Sequence, residues 1–166
     1  MSNSLFLLCP TDCLEPIVNR QFNTENYFLT SLGNTFIYNS ETIKHIKETI
    51  KTNDIKDVYF VLSLDNQIIL DALGSQDFSD IKRLNSIYKE FNTQKETITL
   101  SLRKGNLQFS VLSYHLNKKI KELNIALGKI KVRQALKISG KIYDRSNNTF
   151  LNIYSDLIYL EKFQLN

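Results

Sequence analysis

Leu5-Phe6-Leu7-Leu8-Cys9-Pro10-Thr11-Asp12-Cys13 is the stretch on which the fold of this chain turns. Four apolar residues in succession, then small, polar and thiol-bearing ones, describe a buried strand delivering side chains at its carboxyl end. Open α/β sheets build their sites at that end. A second run, Val58-Tyr59-Phe60-Val61-Leu62, is continuous and rich in β-branched and aromatic residues, as in a strand covered on both faces. It leads into Ser63-Leu64-Asp65-Asn66.

Working outward, strand and helix signals alternate. Residues 15–22 read as a short helix. Residues 26–29 read as a strand ending at Gly33-Asn34, both tolerant of the left-handed backbone of a tight turn. Ser40 reads as an N-cap ahead of Ile43, Ile46 and Ile50 at helical spacing. Ser79-Asp80 reads as the cap of a helix carrying Ile81, Leu84, Ile87, Tyr88 and Phe91. A further helix carries Leu116, Ile120, Leu123 and Leu127 and stops at Gly128. Residues 132–136 add a short helix, and residues 136–143, 145–148 and 150–154 read as strand, turn and returning strand. Residues 96–113 alternate apolar and polar around Lys104-Gly105-Asn106, a pattern that predicts a hairpin. This order implies an α/β fold: a mainly parallel sheet flanked by helices with a C-terminal β-hairpin, in one domain over residues 1–166.

Composition narrows the function classes. With 42% apolar residues in 166 and few Gly or Pro, the chain can bury a real core. Two cysteines four apart make no disulfide framework. The N-terminal residues show no basic segment, and the apolar run is far shorter than a signal core or membrane span, so a cytoplasmic protein without membrane contact is expected. The net charge is +4, and Lys118, Lys119, Lys121, Lys129, Lys131, Arg133, Lys137, Lys141 and Arg145 outnumber the acids Glu122 and Asp144 among them. A solvated helix face explains this stretch, with an acidic protein partner as the functional alternative. No RNA-binding aromatic signature is interleaved, which argues against nucleic acid.

Chemistry-bearing motifs are sparse. There is no Gly-rich phosphate loop, Ser–His–Asp arrangement or H-E-x-x-H pattern. Cys9 and Cys13 offer two thiolates to a metal but need two further ligands, and only His45 and His115 exist. His45 reads as a solvated helix residue and His115 as a packing or capping one. Cys9 reads as a small buried hydrophobe, whereas Cys13 is the thiol that faces a pocket. Asp12, Glu15 and Asp65 either meet at the mouth of that pocket, to bind a hard cation or act as a base, or cap helices and face water.

The chain resembles the β-class carbonic anhydrases. Cys9 and its neighbours are similar to that family's C-x-D-x-R segment, and Tyr27-Phe28-Leu29-Thr30-Ser31-Leu32-Gly33-Asn34 to its F-v-x-R-N-A-G-N strand and turn. Val132-Arg133-Gln134-Ala135 through Ser139-Gly140-Lys141-Ile142-Tyr143-Asp144 is similar to its last helix and H-G-W-x-Y-d strand. Ser63-Leu64-Asp65-Asn66 falls where the family carries G-H-x-x-C. The resemblance implies one zinc held by two Cys and one His, with an Asp–Arg pair controlling its fourth position. Cys9 stands at the first ligand position. Thr11 stands at the Asp, or Asp12 if one residue is inserted, and Cys13 at the Arg. Ser63 or Leu64 replaces the His, Asn66 or Gln67 the second Cys, and Thr30 and Ser31 the Arg and Asn of the turn. Hydroxyl, alkyl and amide groups do not replace thiolate and imidazole on zinc.

The expectation is a vestigial pocket of Cys9, Thr11, Asp12, Cys13, Gly33, Asn34, Ser63, Asp65 and Asn66, with no catalytic residues. No cofactor is expected, and Cys9 is the one residue left to touch a metal. The function read from this is a non-catalytic carbonic-anhydrase-like pseudoenzyme serving as a binding or assembly module. The alternatives are an enzyme with altered chemistry, using Cys13 or Asp12 and Asp65, or residual zinc-dependent carbonate dehydratase activity. The resemblance implies a homodimer, although the family's N-terminal helical arm has no counterpart before residue 5.

Overall fold

β3 (Ile55–Ser63) is the central strand of a five-stranded sheet, ordered β2 (Asn26–Thr30), β1 (Asn3–Leu8), β3, β4 (Lys137–Asp144), β5 (Thr149–Asn152). The structure is a computed structural model describing residues 2–101, 107–128 and 135–154. β2, β1, β3 and β4 run parallel, and β5 returns antiparallel to β4. The fold class and closing hairpin are those expected from the sequence.

Side-chain alternation along β1 divides the core in two. Leu5 and Leu7 face one layer with Val58, Phe60 and Leu62 of β3. α2 (Ser40–Thr52), α3 (Gln67–Leu73), α4 (Asn85–Ser101) and α5 (Leu107–Leu127) cover it, sending in Ile50, Ile69, Phe91 and Leu116 among others. Phe6 and Leu8 face the opposite layer, where α1 (Glu15–Gln21) contributes Val18. That layer is aromatic: Phe6 stacks on Tyr59 with centroids 5.1 Å apart and meets Phe22 edge-on at 5.0 Å.

Several local expectations are corrected. Residues 96–113 form no hairpin: α4 runs to Ser101 and α5 starts at Leu107, with residues 102–106 outside the described part. The alternation at Phe109 and Val111 coexists with a helical stripe of Val111, Leu112 and Leu116, all fully buried, and burial of that stripe decides the conformation. α3 has no counterpart in the sequence reading. Its cap is Asn66, whose Oδ1 accepts the Ile69 N–H at 3.0 Å. Asn39, not Ser40, caps α2 by accepting the Thr42 N–H at 2.8 Å. Ser79 and Asp80 cap nothing. They lie in a loop organised by Asp71, which accepts the N–H groups of Asp77 and Phe78, and a 3₁₀ turn (Lys82–Leu84) then leads into α4. Of the helix expected over residues 132–136, residues 132–134 lie outside the described part, and Ala135 has a left-handed φ of 51°.

Candidate functional site

From β1 the chain moves to β2 on one side, then crosses back through α2 to β3 on the other. Strand order reverses between β1 and β3, and the crevice outside their carboxyl ends is the switch point where such sheets place sites. Cys9–Cys13 and Ser63–Asn66 leave the sheet there.

Two bonded groups occupy this crevice. In the first, buried Cys9 takes the Gly33 N–H on Sγ at 3.1 Å, and its sulfur lies 3.0 Å from Thr11 Oγ1. Gly33 in turn presents its carbonyl to His115 Nε2 at 2.7 Å. His115 is wholly buried, its Nδ1 without a partner among the described residues. Burial, helped by the charge of Lys119, brings its pKa down to about 4, so the ring is neutral and Nε2–H donates to Gly33. Beside it, fully buried Asn34 donates to the Val61 carbonyl at 3.0 Å.

Asp12 centres the second group. Only 3% exposed, its carboxylate takes the Ser63 N–H on Oδ2 and the Asn66 amide on Oδ1, each at 2.8 Å. Burial raises its pKa, while these two donors and nearby Arg145 pull it down. Ser63 Oγ donates to Asp65, which also accepts from Arg145 Nε at 3.2 Å, and Arg145 Nη2 donates to the Asp12 carbonyl. Asp12, rather than Thr11, thus reaches across to the end of β3.

Cys13 stands apart. It is exposed, has a left-handed φ of 52°, and its thiol donates to the Pro10 carbonyl at 3.5 Å. His45 is exposed on α2. The basic stretch is largely engaged within the molecule: Lys118 pairs with Glu90 (2.7 Å), Lys119 with Glu122 (3.0 Å), and Lys141 lies over the Tyr59 ring. Lys129, Lys131 and Arg133 lie outside the described residues.

Arg145 and His115 are the two site residues that sequence reading did not place. Arg145 is 133 positions from Asp12 and belongs to no local motif. Pairing of β4 with β3, continued by the Leu64 N–H on the Tyr143 carbonyl, brings its turn beside the crevice.

Comparison with solved structures finds this fold elsewhere. The β-carbonic anhydrase CafD of Aspergillus fumigatus matches over 93% of this chain and 90% of its own, with a TM-score of 0.73 and 16% identity. CafA from the same fungus matches over 97% and 80%, with a TM-score of 0.74 and 13% identity. A tetrameric β-carbonic anhydrase of Sordaria macrospora matches over 91% and 80%, with a TM-score of 0.70 and 12% identity. This chain has the β-carbonic anhydrase fold. No protein-family model and no curated protein matches the sequence.

The donors at the β-carbonic anhydrase crevice of this chain do not fit zinc. At the positions that the resemblance gives to imidazole and the second thiolate stand Ser63 and Asn66 or, one residue on, Leu64 and Gln67, and both polar ends of Asn66 are already bonded, one to Asp12 and one to Ile69. Cys9 supplies one sulfur, itself holding the Gly33 N–H. Among the described residues no three or more His, Cys, Asp or Glu side chains gather as a metal cluster. One cysteine sulfur with amide and hydroxyl neighbours, and an Asp12 carboxylate whose two oxygens already hold donors, lack the donor set that structural or catalytic zinc requires.

Proposed function

We propose that this chain is a non-catalytic member of the β-carbonic anhydrase fold, a cytoplasmic pseudoenzyme that acts as a homodimeric binding or assembly module. The observation that carries this reading is the closure of Asp12 by Ser63 and Asn66. Each carboxylate oxygen holds an N–H donor, supplied by the two residues that stand at metal-ligand positions in one of the two registers the resemblance allows. A hydrogen-bonded bridge between the ends of β1 and β3 thus takes over the tying role that a metal plays in a zinc site. No helix among the described residues is long and apolar enough to cross a membrane.

Elemental mass spectrometry on untagged protein purified without chelator, paired with a carbon dioxide hydration assay, tests the reading. Less than about a tenth of an equivalent of zinc, with hydration no faster than buffer, is the expected result. Near-stoichiometric zinc with hydration activity would sink it. An enzyme with altered chemistry has one observation in its favour, the buried Asp12 carboxyl with its raised pKa. Under that reading Asp12 would need a free oxygen, whereas both of its oxygens hold donors here.

A further inference from the structure

Away from the Asp12 crevice, the segment after the Gly33 turn, the 3₁₀ turn and the start of α4 border an open pocket of about 450 Å³. That volume is within the range of small-molecule sites. Lys82, Arg83, Lys89 and Lys119 supply its cationic lining, and Phe36 and Ile37 its apolar wall. Lys119 is 6% exposed and already balanced by Glu122 at 3.0 Å. Among the described residues Lys82, Arg83 and Lys89 have no ion-pair partner, and no acidic side chain lines the pocket.

Three uncompensated cations around one concave space concentrate positive potential there, and an anion entering it relieves their mutual repulsion. One guanidinium and two ammonium groups suit a phosphoryl group, which accepts several charge-assisted hydrogen bonds at once. Ile37 is 60% exposed despite its size, so an apolar surface stands ready beside the charges.

We propose that this pocket binds a small organic phosphate, a phosphomonoester whose phosphoryl group faces Lys82, Arg83 and Lys89 while its organic part lies on Phe36 and Ile37. The site is separate from the crevice at the ends of β1 and β3: Cys9, Asp12, Ser63 and Asn66 do not line it. The proposal therefore stands or falls independently of the metal and hydration measurements. A link between the two places does exist, because Ile87 of α4 packs against the Gly33 turn that holds the Cys9 sulfur.

Titration calorimetry of the full chain with phenyl phosphate is the test, with inorganic phosphate and phenol as comparison ligands. Saturable binding of phenyl phosphate with a Kd below about 1 mM is expected, inorganic phosphate weaker by about tenfold, and phenol not bound. The Lys82→Gln/Lys89→Gln double variant should lose at least about tenfold in affinity, while Lys137→Gln on β4 binds as the wild type does. Thermal melting of both variants at the wild-type midpoint ties the loss to the site rather than to unfolding. Absence of saturation up to about 10 mM, or undiminished binding by the double variant, overturns the proposal. Inorganic phosphate binding as tightly as phenyl phosphate would overturn the role given to Phe36 and Ile37.

Discussion

His115 carries the clearest pH signature of any single residue here. A histidine in the unfolded chain titrates near 6.5, whereas burial holds the folded one at about 4. As pH falls through that window the unfolded state takes up the proton first, so stability is full above 6.5 and drains away toward 4. Between pH 7.5 and pH 5 the loss from this residue is about 2 kcal/mol, at 1.36 kcal/mol for each pH unit below 6.5. Asp12 acts in the opposite direction, because its raised pKa makes the folded state the better proton acceptor as the solution becomes acidic. Comparing His115→Gln with the wild type separates the two. Urea unfolding at both pH values should show the variant without that loss, and equal losses in the two proteins would rule out a buried neutral imidazole. His115 was visible as one of two histidines, yet its partner is a main-chain carbonyl 82 positions away, which no spacing rule reports. Arg145 escaped for the same reason. Cys9, Asp12, Ser63 and Asn66 were legible because each lies within a few residues of an apolar run that had to be a buried strand.

At the scale of elements, the Gly33 turn joins β2 to the crevice. Gly33 has a left-handed φ of 57°, and an added Cβ would stand 2.7 Å from Ile87 Cδ1 and 3.2 Å from Ile68 Cγ2. Gly33→Ala therefore combines backbone strain with a clash against α3 and α4, and should cost about 2–3 kcal/mol in urea unfolding. A cost under about 0.5 kcal/mol would mean that the turn is not packed as described. Strands were read well because continuous apolar runs bounded by polar residues have few other uses in a chain this short. Helices were read less well where two periods overlapped. Val111, Leu112 and Leu116 serve a helix, while Leu107, Phe109 and Val111 alternate like a strand, and only the buried layer above β3 arbitrates. α3 has no counterpart in the sequence reading, because its seven residues are too few for the apolar cluster Ile68-Ile69-Leu70 to repeat at helical spacing.

For the molecule as a whole, β2 lies at the outer border of the sheet, with Tyr27, Phe28 and Leu29 only half buried. Among the described residues no strand pairs with its outer edge, and a border strand of this kind invites self-association. The proposed homodimer predicts a light-scattering mass of twice the 19.3 kDa chain at micromolar concentration. A mass of one chain throughout the accessible concentration range would remove the assembly half of the functional reading. The sheet order also bears on how the chain is made. β2, β1 and β3 are all present once residue 63 has been synthesised, but β4, which pairs along the other side of β3, begins only at residue 137. At 5–20 residues per second on the ribosome, the nine-residue central strand spends several seconds as an unprotected border. α4 and α5, which roof Leu5, Leu7 and Phe60, emerge within that same interval. A nascent or prematurely ended chain that stops before β4 thus exposes its central, apolar strand, a natural target for chaperones and proteases.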